Sequence, residues 1–293
     1  MYDICCVGYI TSDKVVTPGS VMHSPGGTAF YFSNAISKMD TRYILVTKIA
    51  EAETTYVNDL SDQGIKVNVQ RSAHTVYFEN IYGDNPDQRT QNVLQTADPF
   101  TTAQLHNIDS GIFHLGPLLA DDIPVTLIKF LATKGTVSLD VQGYLRKVIN
   151  QKVYPANWPQ KREALQYVSV LKADEAELQA LTGINDPCEG AICLAGWGVK
   201  EVVVTNGSKG SFIYCNGTFR SIPAYRPKKV IDATGCGDTY MAGYLYRRAN
   251  GADIRRAGEF AAAIASLKME SPGAFTGTEA EVLRVLEKSN ILL

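Results

Sequence analysis

The sequence has little of what marks metal centres, disulfide frameworks or membrane spans. Its six cysteines show no Cys-x-x-Cys spacing, and its four histidines form no metalloprotease pattern. No apolar run reaches the roughly 18 residues that a membrane span requires, and the start, MYDICCVGYI, contains neither a basic leader nor a cleavage site. We therefore expect a cytoplasmic protein with reduced cysteines that does not bind a membrane.

The sequence also lacks a strong charge of one sign. Its formal net charge is -2, so it has no basic stripe that would neutralise the phosphates of a nucleic acid. Internal repeats and low-complexity tracts are absent as well, and 45% of the 293 residues are hydrophobic, as in an ordinary globular protein. We expect a small-molecule partner and no nucleic acid.

Short apolar segments alternate along the chain with segments of helical periodicity. This alternation is typical of βαβ units and predicts a doubly wound α/β fold, with a mostly parallel sheet and helices on both faces. The predicted strands cover residues 4–7, 43–49, 111–115, 136–141, 167–171 and 201–205. The predicted helices cover residues 29–39, 123–132, 175–181, 239–249 and 254–269.

Two early segments, 13–24 and 75–94, instead alternate polar and apolar residues in the manner of antiparallel ribbons. The second contains the turn-prone residues 83–86, Gly-Asp-Asn-Pro. No linker separates either segment from its surroundings. We therefore expect a single domain over residues 1–293, interrupted by a small β appendage at about 13–24 and 75–94.

The segment 231–239, IDATGCGDT, places two glycines before a predicted apolar helix. Small residues there let the backbone N–H groups of Gly235, Cys236 and Gly237 face an anion, which the helix dipole also attracts. Asp238 would then accept a proton from a hydroxyl while the amides hold the charge of a transferred group. On spacing alone, a helix N-cap at Asp238 after a tight glycine turn is the better explanation.

Nucleotide binding has no support from the usual short motifs, because neither GxxxxGK[ST] nor a helix-opening GxGxxG occurs. Five segments together nevertheless resemble the ribokinase-like (PfkB) family. DATGCGDTYMAG resembles its DTxGAGD signature, SPGGTAFYFSNAIS its N-terminal glycine pair, and LKADEAELQALTG the segment with its Asn-x-x-Glu motif. VVVTNGSKG resembles its nucleotide loop, and AAAIASLKMESPGAF its adenine-side helix and loop. They follow the family's order along most of the chain.

The resemblance implies a ribokinase-like α/β fold whose β appendage is a lid over the active site, with ATP and Mg²⁺ as cofactors. It implies that Asp238 is the catalytic base and that Gly235, Cys236 and Gly237 form the anion hole. Cys236 replaces the usual alanine, and we interpret it as a small buried filler and not as a nucleophile, because no histidine near it in sequence would activate it.

For the phosphoryl donor, the resemblance assigns nucleotide contacts to Thr205, Gly207, Gly210, Ala262 and Gly273. These positions also suit a strand-end turn and helix packing. The Asn-x-x-Glu motif becomes Asp174 and Glu177, two carboxylates that suit Mg²⁺ through waters but also a helix capping box. Lys172 would offset the added charge near ATP. Asp232 matches a family position near a monovalent-cation site, which suggests K⁺.

For the acceptor, the resemblance assigns substrate contacts to Thr11, Asp13, Gly26, Gly27 and Thr28. The glycines permit close backbone approach, and the Asp13 carboxylate can accept two hydrogen bonds from a vicinal diol. Ribokinases proper have lysine and asparagine where this chain has Thr28 and Tyr31, so ribose is not the expected substrate.

The segment 140–146, DVQGYLR, resembles the inositol-kinase and nucleoside-kinase branches of the family. It adds Gln142 and Arg146 as substrate contacts, although Asp140 and Arg146 would serve equally well as a structural ion pair. We expect an ATP-dependent kinase of a sugar or cyclitol such as myo-inositol, and a homodimer formed through the lid. The alternatives are a nucleoside kinase, a kinase of a hydroxymethyl heterocycle and an inactive sugar-binding sensor.

Overall fold

The computed structural model describes residues 1–82 and 89–290, which form two β-sheets and a set of helices. The strands are β1 (Tyr2–Gly8), β2 (Thr11–Thr17), β3 (Ser20–Gly26), β4 (Tyr43–Ile49), β5 (Lys66–Arg71), β6 (Val76–Tyr82), β7 (Arg89–Gln95), β8 (Ser110–Gly116), β9 (Thr136–Asp140), β10 (Arg146–Ile149), β11 (Lys152–Pro155), β12 (Val170–Asp174), β13 (Glu201–Thr205), β14 (Ser211–Cys215) and β15 (Thr218–Ile222). The helices are α1 (Gly27–Ile36), α2 (Thr55–Asp62), α3 (Thr102–Leu105), α4 (Val125–Ala132), α5 (Lys161–Leu165), α6 (Glu175–Thr182), α7 (Pro187–Gly196), α8 (Cys236–Ala249), α9 (Ile254–Lys268) and α10 (Glu279–Asn290).

In the described residues the larger sheet has nine strands in the order β15-β14-β13-β12-β9-β8-β1-β4-β5. The pairs from β13 to β5 are parallel, and β14 and β15 pair antiparallel. On the central strand, Cys5 and Val7 belong to one hydrophobic cluster, and Ile4 and Cys6 to another on the opposite face. The predicted doubly wound fold, mostly parallel and covered by helices on both faces, is confirmed.

The helix ends follow local sequence signals. The Asp186 carboxylate accepts a hydrogen bond from the Glu189 amide at the start of α7, and Pro187 occupies the first helical position. Gly183 ends α6 in the left-handed conformation, with φ 78°, which glycine adopts without a steric penalty. These caps fix where α6 and α7 begin and end relative to the sheet.

The smaller sheet, which we call the lid sheet, has the strand order β10-β11-β7-β6-β2-β3. Its strands are inserted between elements of the larger sheet: β2 and β3 follow β1, and β6 and β7 follow β5. The first ribbon runs two residues beyond each end of the expected segment 13–24, and the second begins and ends one residue after the expected segment 75–94. The predicted turn at residues 83–86 lies outside the described residues.

A third ribbon of the lid sheet, β10 and β11, was not predicted. Its strands have only four residues each, and its turn at Asn150 and Gln151 has φ values of 48° and 65° without a glycine to signal it. The predicted strand at 167–171 is also wrong by three residues, because Val168 still closes the turn after α5 and the strand continues to Asp174. Strands β5, β14 and β15 and helices α2, α3, α5, α7 and α10 were not predicted either.

Within residues 1–82 and 89–290, no helix has both the length and the apolar character needed to span a membrane.

Candidate active site

A polar cavity of about 310 Å³ lies between the lid sheet, the start of α8 and the carboxyl ends of the parallel strands. Ligands of open α/β sheets bind at this edge. Most of the residues expected at the catalytic and acceptor sites line the cavity: Thr11, Asp13, Gly27, Thr28, Gln142, Arg146, Gly235, Cys236, Gly237 and Asp238. Lys172, expected near ATP, lines it as well. The lining does not include Gly26, Asp174, Glu177, Thr205, Gly207, Gly210, Asp232, Ala262 or Gly273.

The start of α8 is shaped for an anion. Gly235 is the N-cap with φ 75°, and a Cβ on it would collide with the Tyr31 ring, so only glycine fits. The Cys236 amide already donates to the Ala233 carbonyl at 3.3 Å. For the amides of Gly235 and Gly237, the structure of residues 1–82 and 89–290 shows no acceptor. An anion hole would therefore use these two amides, and the Cys236 amide only after a local change.

Asp238 is not the N-cap of α8, because Gly235 occupies that position and Asp238 is the third helical residue. The Thr28 hydroxyl donates a hydrogen bond to its carboxylate. Burial, and next to it the negative charge of Asp140, raises the pKa of Asp238 to about 7, although Lys172 and Thr28 act in the opposite direction. Such a pKa suits a group that exchanges protons near neutral pH.

Lys172 holds the other carboxylates at this edge of the sheet. Its ammonium lies 3.0 Å from Asp140 Oδ2 and 3.6 Å from Glu177 Oε2, and its side chain is only 7% exposed. Burial alone would lower the pKa of Lys172, but the two carboxylates raise it further, so the lysine stays charged. Asp140, considered from sequence as an ion-pair partner of Arg146, thus pairs with Lys172.

Asp174 and Glu177 form the capping box of α6. The Glu177 amide donates to Asp174 Oδ1 at 2.7 Å, and the Asp174 amide donates to Glu177 Oε2 at 2.8 Å. The Gln142 side-chain amide donates to Glu177 Oε1 at 3.0 Å. Gln142, expected to contact substrate, is therefore also tied to Glu177. No cluster of three or more His, Cys, Asp or Glu residues in the described part of the chain is arranged to hold a metal directly.

The acceptor end of the cavity is built around Asp13. The Thr11 hydroxyl donates to Asp13 Oδ1 at 2.7 Å, and a Cβ on Gly26 would collide with the same carboxylate. Gly27 has φ 82°, and a Cβ there would collide with the Tyr9 carbonyl. The glycine pair is thus required by the close approach of β2 to the start of α1.

The lid sheet contributes residues that sequence reasoning missed. Phe78 and Asn80 on β6 and Gln91 on β7 line the cavity, and the Gln91 side-chain amide donates to Asn80 Oδ1 at 2.9 Å. The alternation of TVYFENIY places Phe78 and Asn80 on one face of the strand. This alternation is the sequence signal for Phe78 and Asn80 as residues of the strand face that lies against the cavity.

Cys236 is partly buried and lines the cavity, and its role as a small filler stays a prediction. Its thiol contacts the Ala265 carbonyl at 3.8 Å. Burial raises its pKa to about 11, which keeps the thiol neutral and unreactive near pH 7.

The predicted nucleotide contacts lie beyond the cavity. Thr205 ends β13, and a 3-10 helix at Gly207–Lys209 follows it. Gly210 has φ 93°, and a Cβ on it would collide with the Ile222 carbonyl. Ala262 lies on α9, and Gly273 follows that helix with φ 75°. Strand ends and glycine turns therefore explain these positions locally, as the sequence allowed.

Comparison with known proteins gives the family. Residues 1–281 match the pfkB family of carbohydrate kinases. A pyrophosphate-dependent kinase of the ribokinase family, solved with a pyrophosphate analogue and myo-inositol, superposes with a TM-score of 0.86 at 28% identity, over 96% of this chain and 99% of that one.

Two further proteins extend this comparison. A pyrophosphate-dependent myo-inositol-1 kinase, converted into a myo-inositol-3 kinase by two leucine substitutions, superposes with a TM-score of 0.86 at 27% identity, over 97% of this chain and 99% of that one. The cytidine kinase of Thermococcus kodakarensis is 27% identical over 84% of this chain and 88% of its own.

The chain belongs to the pfkB family of carbohydrate kinases. It is a carbohydrate or nucleoside kinase, a phosphotransferase with an alcohol group as acceptor, and it has the ribokinase-like fold. The family, fold and enzyme class predicted from the sequence are confirmed.

We expect the carboxyl group of Asp238 to titrate near pH 7 in the free protein. Asp140→Asn should lower that pKa, because it removes a neighbouring negative charge. Carbon-13 NMR of protein labelled at aspartate carboxyls measures both values, with Asp238→Asn identifying the signal. Asp59→Asn, on the exposed side of α2, should leave the titration unchanged. A wild-type titration near the ordinary aspartate value would contradict the prediction.

Proposed function

We propose that the protein transfers the γ-phosphoryl group of ATP to a hydroxyl of a small cyclitol or sugar, with myo-inositol as the leading acceptor. The observation that carries the proposal is the position of Asp238. Its carboxylate faces the cavity at the start of a helix whose Gly235 and Gly237 amides are open to an anion, and polar lid residues line the remaining wall.

In the proposed step, the acceptor hydroxyl gives its proton to Asp238 and its oxygen bonds to the γ-phosphorus. The bond from that phosphorus to the bridging oxygen breaks, and ADP leaves with the electron pair. The amides of Gly235 and Gly237 stabilise the charge on the transferring group. Catalysis of this kind consists mostly of positioning and charge stabilisation.

Kinases of this family use ATP and Mg²⁺. Bound Mg²⁺ neutralises the phosphate oxygens of the donor. The carboxylates of Asp174 and Glu177 fit a hydrated ion, because both are already held by the capping box and Mg²⁺ retains several of its waters. We assign the donor end to Lys172, which is the buried cation next to Gly237, and to Thr205, Gly207, Gly210, Ala262 and Gly273.

Pyrophosphate is the second candidate donor. Three of the solved structures similar to this chain are of pyrophosphate-dependent kinases. A donor without a base and ribose would need only the phosphate-binding groups at the start of α8 and Lys172. The predicted nucleotide contacts, which lie outside the cavity lining, would then have no ligand.

Two features support a cyclitol as acceptor. In the pyrophosphate-dependent myo-inositol-1 kinase that becomes a myo-inositol-3 kinase, an asparagine and a serine that lie 11 positions apart are both replaced by leucine. Asn80 and Gln91, hydrogen-bonded across the lid sheet at the cavity wall, are also 11 residues apart. We propose that this pair, with Asp13, Gln142 and Arg146, selects the hydroxyl that reacts.

A nucleoside such as cytidine is the second candidate acceptor. The curated cytidine kinase covers most of this chain at 27% identity. The cavity also presents the rings of Phe78 and Tyr31, on which a base could stack.

The homodimer is also a proposal: β3 is an edge strand of the lid sheet, with Val21 57% and Met22 56% exposed, and it suits pairing with a second copy.

A panel of acceptors and donors tests the proposed function. Purified protein should phosphorylate myo-inositol with a kcat/KM far above the values for ribose and fructose 6-phosphate, because a site that pairs particular hydroxyls rejects analogues by up to about 10⁴–10⁵-fold. ATP and pyrophosphate are compared in parallel at equal concentration. A clear preference for cytidine selects the second acceptor, and a preference for ribose or a sugar phosphate refutes both.

Asp238→Asn should lower kcat by about 10²–10⁴-fold while donor affinity stays nearly unchanged, since the change removes the proton acceptor with little change in shape. Steady-state kinetics with the preferred acceptor and calorimetric titration of the donor measure the two effects. Asp59→Asn serves as the matched control. Turnover close to wild type in the Asp238 variant would show that another group is the base.

Asp13→Ala should raise the KM for the acceptor and leave donor binding unchanged. Loss of a charged hydrogen-bond partner costs about 1.5–3 kcal/mol. Lys14→Ala is the control, because the next residue on a strand points to the opposite face. Weaker donor binding with an unchanged acceptor KM would show that the two ends of the site are assigned in the wrong order.

A further inference from the structure

Lys268, the last residue of α9, carries a fully buried ammonium group. Its Nζ donates to the Asp232 carbonyl at 2.8 Å and to Asp232 Oδ2 at 2.9 Å. It also lies 5.8 Å from the centre of the Tyr31 ring. Lysine is almost never fully buried without a partner, because an unpaired charge in the protein interior is costly.

The Asp232 carboxylate completes this ion pair. Burial raises the pKa of Asp232, but hydrogen bonds from Lys268 and Thr234 outweigh burial and lower it below its ordinary value. The Thr234 amide donates to Oδ1 at 2.8 Å, and the Gly273 amide donates to Oδ2 at 3.1 Å. Asp232 is therefore ionised, and both of its oxygens are engaged.

The ion pair holds together three segments that meet at the start of α8. Asp232 begins the segment that leads to the Gly235 and Gly237 amides. Tyr31 of α1 lies next to the Lys268 ammonium and packs directly against Gly235. The Gly273 amide ties the segment after α9 to the same carboxylate. One ammonium thus contacts both the loop and the ring that shape the amides.

A monovalent cation bound at Asp232 would need the oxygens that Lys268 already occupies. Carbonyl and carboxylate oxygens are the ligands of such an ion. The Lys268 ammonium takes the carbonyl oxygen and Oδ2 of Asp232, and Oδ1 already accepts from the Thr234 amide. An ammonium group carries the same charge as K⁺ and is of similar size. The K⁺ site that the resemblance implies therefore does not fit the residues present at Asp232.

We propose that Lys268 is a tethered cation that replaces a bound monovalent ion and positions the phosphate-binding amides at the start of α8. The enzyme then needs no K⁺. Lys268 is a positioning residue, because it touches neither substrate nor the reacting atoms. The kinetic part of the inference rests on the proposed function of Gly235 and Gly237, whereas cation binding itself does not.

Thermal unfolding tests cation binding without any activity. Wild-type protein should have the same Tm in potassium chloride and in tetramethylammonium chloride of equal ionic strength. Lys268→Ala opens the site, so its Tm should rise with potassium concentration in a saturable manner, as ligand binding to the native state requires. Lys38→Ala is the control, since Lys38 also donates to a backbone carbonyl, that of Thr276, but from the surface.

Kinetics test the positioning role. In tetramethylammonium buffer, Lys268→Ala should lose about 10²-fold in kcat/KM, the loss expected from a displacement of about 1 Å near the reacting atoms. Potassium or ammonium ions should restore most of it, and the larger tetramethylammonium ion should not. Lys268→Met, which keeps the side-chain volume without the charge, should lose activity and remain unresponsive to these ions.

Three outcomes would overturn the proposal. The first is wild-type activity that rises severalfold with potassium, a measurement that needs no variant and holds even if the variants do not fold. The second is a folded Lys268→Ala whose Tm and turnover ignore every monovalent ion. The third is a Lys268→Met variant as active as wild type. Absence of kinase activity in the wild type with every acceptor would instead refute the proposed function and leave the Tm test intact.

Discussion

One buried ion-pair network, centred on Lys172, offsets negative charge at the candidate active site. Three carboxylates, on Asp140, Glu177 and Asp238, converge at the carboxyl edge of the sheet, where their charges would repel a phosphate. Lys172 lies among them, next to Gly237, and offsets part of this charge. Burial, and after it the remaining repulsion from Asp140, raises the pKa of Asp238 to about 7, which is the range useful for proton exchange.

The two buried lysines have different positions relative to the start of α8. Lys172 lines the cavity. Lys268 is fully buried, does not line the cavity, and contacts the segment before α8 from the protein interior. The first is suited to meet a ligand, and the second to hold the backbone that meets it. In the proposed mechanism, separate cations would therefore control the charge and the shape of the site that binds the donor phosphate.

Much of this arrangement could be predicted from the sequence. The parallel strands and long helices follow from their hydrophobic periodicity, and the glycines of 235 and 237 pointed to the start of α8. Sequence reasoning did not reveal the contacts made through space. The ion pairs of Lys172 with Asp140 and of Lys268 with Asp232 join residues far apart in the chain, and no local pattern predicts them. Asn80 and Gln91 pair across the two strands of one ribbon. The ribbon at Asn150 was missed because its turn carries no glycine.

Tyr31 limits which substitutions the active site could accept without losing its geometry. The side chain that stands where ribokinases carry an amide also fills the space over Gly235 and lies beside Lys268. A substitution aimed at admitting a different acceptor would therefore remove support from the backbone that receives the phosphoryl group. In the proposed function, acceptor preference and catalytic geometry would share Tyr31, so a new specificity at this position would require a second, compensating change on the other side of Gly235.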